Sequence, residues 1–275
     1  MISAKVACFE SYGVRVKLES ETSELLEIAI QTATKALVGR LKFIENTSLD
    51  VDHEFGLHQS ENGDFFFTNN GQPSGSQQDI ASLARTLNTM VRIHVAEKAV
   101  GWVFIHAGVV GYRDKAIVLP AMSHQGKTTL VAELIKCGAE YFSDEYAVLD
   151  EQGSVHPFER PLSVRKQRSE VSVDVPVEQF GARSGTRPIP VGMVILTGYD
   201  ADAGWDPKTV SLGEGILETL PQVISINFNT EFALKVLNTA YSRAIILKSL
   251  RGDAHGAARS ILSLFDNSLN LGRIL

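Results

Sequence analysis

The stretch AIVLPAMSHQGKTTL, residues 116–130, decides how the rest of the chain is interpreted. Its second half fits the phosphate-binding loop pattern G-x-x-x-x-G-K-[ST], except that Ala121 replaces the first glycine. An apolar strand, residues 116–119, leads into the loop, and an amphipathic helix begins at Thr128. In such a loop, backbone N–H groups and the helix N-terminus face the phosphates. The stretch therefore predicts an α/β core that binds a nucleotide.

Residues 121–129 form the predicted nucleotide-binding loop. They are Ala121, Met122, Ser123, His124, Gln125, Gly126, Lys127, Thr128 and Thr129. We expect Lys127 to reach the β- and γ-phosphates and the Thr128 hydroxyl to ligate Mg²⁺. A methyl group at a positive φ costs about 1 kcal/mol, so we expect an ordinary φ at Ala121. The side chains of His124 and Gln125 are expected to face solvent or substrate. A chance turn and helix start would give the same Gly-Lys-Thr sequence, and this alternative stays open here.

Two acids follow the next predicted strand. Asp144 and Glu145 come after residues 140–142, where a P-loop protein places a carboxylate beside Mg²⁺ or the attacking nucleophile. Neighbouring side chains on a strand point opposite ways, so only one of them can face the γ-phosphate unless the strand ends there. The alternative is a solvated pair of acids in a turn.

The remaining pattern divides the chain at about residue 100 into two domains. An N-terminal α+β module, 1–100, is predicted to contain hairpins at 5–10/14–18 and around Phe55 with 65–67, a loop at 69–76, and helices at 22–38 and 79–98. In the second domain, 101–275, strands are predicted at 102–110, 116–120, 140–142, 146–149, 154–158, 191–197 and 244–250, with a surface excursion at 170–190. Helices are predicted at 128–136, 215–220, 231–241 and 254–266.

Composition excludes several classes of protein. The 275 residues carry a net charge of −6, which gives no overall field for a nucleic-acid backbone. No apolar run is long enough to span a membrane and no export signal is visible, so we expect a soluble cytoplasmic protein. Cys8 and Cys137 are isolated in the sequence and are expected to be buried free thiols in a reducing compartment.

Four segments carry a resemblance to a known family. They are His106-Ala107-Gly108, residues 121–129, Glu133 to Gly138, and Ser143-Asp144-Glu145. In this order and spacing they resemble the catalytic domain of HPr serine kinase/phosphorylases, bacterial P-loop proteins related in architecture to phosphoenolpyruvate carboxykinases. The similarity covers roughly residues 102–165 and implies a P-loop kinase-like core with a mixed sheet.

The resemblance also implies roles for particular residues. Asp144 would take the proton from a serine hydroxyl, His106 would lie near the reacting phosphate, and Glu145 would assist the metal or the base. The implied Mg²⁺ ligands are Thr128, Asp144 and Glu145. Composition alone favours a core histidine at a strand end for His106, and its position in the family pattern reverses that preference. Glu145 stands where the family has a second Asp, and the family's Gly-rich, Arg-containing C-terminal signature is missing, so neither the reverse activity nor a hexamer is inferred.

A basic segment follows the predicted hairpin. Arg160, Arg165, Lys166 and Arg168 could hold nucleotide phosphates or an acidic peptide, or could form a solvated loop; Arg165 is the best candidate for nucleotide binding.

Our leading hypothesis is an ATP- and Mg²⁺-dependent kinase that phosphorylates a hydroxyl, with serine of a protein or peptide as the expected acceptor. Two alternatives remain: a nucleotide-binding regulatory protein with little catalysis, and a small-molecule kinase or carboxykinase-like enzyme. The N-terminal module is expected to dock the substrate or to form a homo-oligomer. Neither nucleic acid nor a membrane is an expected partner.

Overall fold

The chain divides into two compact units, Met1–Gly101 and Trp102–Leu275. The computed structural model describes residues 4–45, 50–60, 62–121, 126–164, 173–181 and 183–272. The predicted nucleotide-binding residues Met122, Ser123, His124, Gln125 and Arg165 lie outside these ranges, as do Lys166 and Arg168.

The first unit combines a six-stranded sheet with two helices. Its strands are β1 (Lys5–Ser11), β2 (Val14–Ser20), β3 (Lys42–Ile44), β4 (His53–Gln59), β5 (Phe65–Asn69) and β6 (Gln72–Gln77), in the spatial order β3-β1-β2-β4-β5-β6. The helices are α1 (Ser23–Ala36) and α2 (Ile80–Lys98), capped by the side chains of Thr22 and Asp79. Both helices contribute to one hydrophobic core with the sheet. The two hairpins and two helices predicted for this region are confirmed.

The loop predicted at residues 69–76 is wrong, because β6 pairs there with β5 in antiparallel register. Asn70 and Gly71 have φ values of +48° and +73°, which is the backbone of a two-residue hairpin turn. The side chains of β6 are almost all exposed and polar, so the strand has no alternating apolar pattern that the sequence could show.

The second unit is built on an eight-stranded mixed sheet. Its strands are β7 (Trp102–Tyr112), β8 (Lys115–Pro120), β9 (Glu140–Ser143), β10 (Tyr146–Asp150), β11 (Ser154–His156), β14 (Ile189–Tyr199), β15 (Lys208–Thr209) and β16 (Ile245–Arg251). The spatial order is β11-β10-β7-β8-β14-β16-β15, with β9 beside β7. β14 runs parallel to β8 and β16, whereas the other pairings are antiparallel. The mixed sheet expected of an α/β core is therefore present.

Helices cover both faces of this sheet. They are α3 (Lys127–Lys136), α4 (Leu212–Thr219), α5 (Thr230–Tyr241) and α6 (Ala254–Asn270). α3 and α6 belong to one hydrophobic core and α4 and α5 to another, so the sheet is the middle of three layers. All four predicted helices are confirmed, with α6 four residues longer than expected.

Two further expectations need correction. The excursion predicted at 170–190 contains β13 (Val173–Val175), which pairs with β12 (Leu162–Val164), and β14 begins at Ile189 rather than at residue 191. Three-residue strands are too short for a periodic pattern to reveal them. Cys8 is buried, but Cys137 is only half-buried, because it follows α3 as its C-cap residue.

Candidate active site

The start of α3 carries the lysine and threonine of the motif. Gly126 is the N-cap residue, with φ +72° and ψ +21° in the left-handed region, and it has no side chain with which to cap the helix. Glycine adopts this backbone without strain, and it leaves the first N–H groups of the helix for an anion. Ala121 does not have a positive φ, which confirms the expected ordinary φ at the loop entry. Its N–H points to the His106 carbonyl at 3.4 Å.

Lys127 lies against a histidine of the central strand. Its Nζ is 2.9 Å from Nε2 of His106, which sits in the middle of β7 opposite Tyr146 of β10. Because the ammonium can only donate, Nε2 accepts and His106 is neutral in this contact. Burial lowers the pKa of Lys127, although the nearby charges of Asp144 and Glu145 counteract part of this effect.

Thr128 contacts the first of the two predicted acids. Its Oγ1 donates to Oδ2 of Asp144 at 2.6 Å. Burial raises the pKa of Asp144 to about 6, against the opposing effects of Lys127 and of the Thr128 hydrogen bond. The second oxygen, Oδ1, is buried and has no hydrogen-bond partner among the residues that the structure describes. A buried carboxylate oxygen of this kind is expected either to bind a cation or to accept a hydrogen bond.

β9 ends at Ser143, so Asp144 and Glu145 lie beyond the strand, and their side chains need not point to opposite faces of the sheet. The Ser143 hydroxyl accepts from the N–H groups of Glu145 and Tyr146, which fixes this turn. Oε2 of Glu145 is 3.9 Å from Nη1 of Arg160, and its charge adds to the rise in the Asp144 pKa. The two acids therefore face different partners, Thr128 and Arg160.

The structure brings together His106, Lys127, Thr128 and Asp144, with Glu145 next in the chain. Thr129 is exposed in the first turn of α3. Within the described ranges, no group of three or more His, Cys, Asp or Glu side chains could hold a metal ion. Of the three predicted Mg²⁺ ligands, the structure brings Thr128 and Asp144 into direct contact.

Sequence reasoning missed Arg251. This residue ends β16, is 1% exposed, and donates from Nη2 to the Gly126 carbonyl at 2.5 Å. A Cβ at Gly126 would lie 2.7 Å from the same nitrogen. The contact joins residues 125 positions apart, and no motif around Arg251 signals it.

Comparison with known proteins finds similarity among solved structures. No family model matches the chain, and no curated protein matches it either. A solved structure of the HPr(Ser) kinase/phosphatase from Coxiella burnetii is similar over 62% of this chain and 98% of that chain, at 15% sequence identity and a TM-score of 0.36. A TM-score of 0.36 does not establish a shared fold. In the described part of the chain, no helix is both long and apolar enough to cross a membrane.

Proposed function

We propose that the protein is an ATP- and Mg²⁺-dependent kinase that transfers the γ-phosphate to a hydroxyl, with serine of a protein or peptide as the acceptor. The observation that carries this proposal is the Thr128–Asp144 contact at the start of α3, which leaves Oδ1 of Asp144 buried without a partner in the described structure. A hydroxyl and a carboxylate in this position suit a metal–phosphate complex and the proton acceptor beside it.

The residues present fit both ligands. The first N–H groups of α3 and the Lys127 ammonium suit polyphosphate, and Thr128 Oγ1 with Asp144 Oδ2 suits Mg²⁺. When bound, ATP supplies the phosphoryl group and Mg²⁺ neutralises part of its charge. Lys127 would exchange its contact with neutral His106 for a phosphate oxygen, which supports its protonated form.

Asp144 would accept the proton of the attacking hydroxyl. A pKa of about 6 leaves the carboxylate ionised at pH 7.5 but more basic than an ordinary aspartate, as a general base requires. Oδ2 is engaged by Thr128, so Oδ1 is the atom for this proton. Removing that proton strengthens the hydroxyl oxygen as a nucleophile.

Labelled ATP and purified protein test the proposal. We expect Lys127→Ala to lose ATP binding, because the ammonium is the side-chain cation of the loop. Asp144→Asn should still bind ATP while phosphate transfer falls by about 10²- to 10⁴-fold, the usual contribution of a general base. The acceptor is sought by labelling a lysate of the source cells. A wild-type protein that binds ATP with Mg²⁺ but labels neither protein nor metabolite would contradict the kinase and favour a regulatory role.

The pH dependence provides a second test. The kcat/KM for transfer by the wild type should fall as the pH drops through about 6, because kcat/KM reports the ligand-free enzyme, in which Asp144 then becomes protonated. ATP affinity measured on the same samples separates this effect from weaker binding. A rate that stays constant from pH 8 to pH 5 would exclude Asp144 as the base.

A further inference from the structure

Arg251 holds the turn at which the phosphate-binding loop becomes a helix. Its Nη2 donates to the Gly126 carbonyl at 2.5 Å, and the same carbonyl accepts the N–H of Leu130 at 3.1 Å. A carbonyl oxygen has two lone pairs, so these two bonds use both. The side chain thus fixes the orientation of the peptide group that immediately precedes Lys127.

The backbone of Arg251 is held independently of its side chain. It pairs with Tyr199 of β14, and its carbonyl accepts the N–H of Asp200 at 3.0 Å. The next residue, Gly252, donates to the Ala203 carbonyl at 2.9 Å. A replacement of the side chain leaves these bonds in place, and the Gly126 carbonyl keeps its bond to Leu130.

Two cationic side chains meet at the N-terminus of α3. The N-terminus of a helix carries partial positive charge, and acidic rather than basic groups are stabilising there. Here Arg251 reaches the N-cap residue and Lys127 is the first helical residue. Burial lowers the pKa of the Arg251 guanidinium, and Tyr199 and Asp253 offset this only in part. Two desolvated cations at the positive end of a helix make a site that gains most from a polyanion.

We propose that Arg251 is a positioning residue for the phosphate-binding loop: it holds the Gly126 carbonyl so that the N–H groups of α3 face the phosphates, and it adds a second positive charge there. This inference rests on the proposed nucleotide binding. Arg251 lies outside the motif, on β16, and in this proposal it is a determinant of the affinity for polyphosphate.

Arg251→Met tests the inference in the full chain, because methionine keeps much of the volume but lacks the charge and the donors. Binding of ATP with Mg²⁺ and of inorganic tripolyphosphate is measured by calorimetry, and the melting temperature is measured with and without ligand. We expect both dissociation constants to rise about tenfold or more, as for loss of one charge-assisted contact. The Gly126 carbonyl keeps its bond from the Leu130 N–H in this variant, so we expect the protein to stay folded, and the melting temperature without ligand measures any loss of stability.

Two variants sharpen the result. Arg251→Lys keeps the charge but not the planar fork, so its affinity should lie between those of the wild type and Arg251→Met. Arg113→Met removes an equal charge from an exposed arginine and should leave affinity unchanged. Wild-type affinity in a folded Arg251→Met, or a lower melting temperature with unchanged ligand-induced stabilisation, would overturn the role of Arg251 alone. A wild type that binds neither ligand would overturn the proposed function together with this inference.

Discussion

At Asp144, the ionised side chain that the proposed function requires lowers the stability of the fold. Burial raises its pKa from 3.8 to about 6, so the folded protein holds this proton more tightly than the unfolded chain does. The stabilisation from the proton is complete below pH about 4 and is lost as the pH rises through about 6. At neutral pH the ionised carboxylate therefore costs stability, as expected for a site prepared for a cation.

Asp144→Asn should consequently stabilise the protein at pH 7.5, by about 1–3 kcal/mol, because the amide needs no ionisation. The gain should disappear as the pH falls towards 4, where the wild-type carboxyl is protonated as well. Urea unfolding of both proteins at several pH values measures the difference. An equal stability of the two proteins at pH 7.5 would show that the carboxylate pays no desolvation cost.

The residues of the site differ in how readily the sequence indicates them. Gly126, Lys127 and Thr128 are neighbours whose spacing alone predicts their role. Asp144 could be predicted because it directly follows the next strand, and the structure places it in contact with Thr128. The Lys127–His106 contact depends on how α3 packs against β7, and only the family resemblance pointed to His106. Arg251 depends on the neighbourhood of β16 and the loop, which no local pattern encodes.

At the level of elements, β7 and α3 are in close contact at Gly108. A Cβ there would lie 2.5 Å from Cγ2 of Val131 and 3.1 Å from Cγ of Lys127. Gly108→Ala should therefore displace α3 from β7 and lower the free energy of unfolding by about 1–3 kcal/mol, with weaker ATP binding. Denaturant unfolding and calorimetry measure the two effects.

The matched control is Gly213→Ala in α4, where a Cβ meets nothing within 4 Å. Alanine is preferred to glycine inside a helix by up to about 1 kcal/mol, so this variant should be as stable as the wild type or more so. If Gly108→Ala and Gly213→Ala had the same free energy of unfolding, a side chain at the close approach of β7 and α3 would carry no cost in stability.

Prediction of elements succeeded where an apolar pattern is long. α2 and β14 were identified because their buried residues recur at the helical period or form a continuous run. β6 and β15 were missed because their residues are polar and exposed, so their pairing is set by neighbouring strands rather than by burial.

In the first unit, two histidines make the packing of β4 against α2 sensitive to acid. The rings of His53 and His94 lie edge to face with centroids 3.9 Å apart, and Phe55 contacts both. Burial lowers the pKa of His53 from 6.5 to about 4, and His94 and Lys98 add to this effect. Burial also lowers the pKa of His94, 3.8 Å from the Glu97 carboxylate.

A depressed histidine pKa stabilises the fold above pH 6.5, and this stabilisation is lost as the pH falls towards 4. We expect the first unit to lose about 3 kcal/mol from His53 over this range. Hydrogen exchange of α2 amides between pH 7 and pH 4.5, corrected for the intrinsic rate, measures the loss. His53→Phe should flatten the dependence, and an unchanged slope in that variant would assign the effect to other groups.

At the scale of the whole molecule, expressing the second unit alone tests whether the candidate site depends on the first unit. Every contact described for the candidate site, from His106 to Arg251, lies within Trp102–Leu275. Both hydrophobic cores beside its sheet consist of residues of the same unit. We therefore expect residues 102–275, expressed alone, to fold and to bind ATP with Mg²⁺ within a factor of about three of the full chain, a difference below about 1 kcal/mol. Calorimetry measures the affinity, and Lys127→Ala in the shortened chain shows that the signal comes from the same loop.

A shortened chain that folds, by circular dichroism and cooperative melting, yet fails to bind would mean that Met1–Gly101 completes the site. If it binds but no longer labels the acceptor, the first unit has the substrate-docking role that is one of the two expected for it.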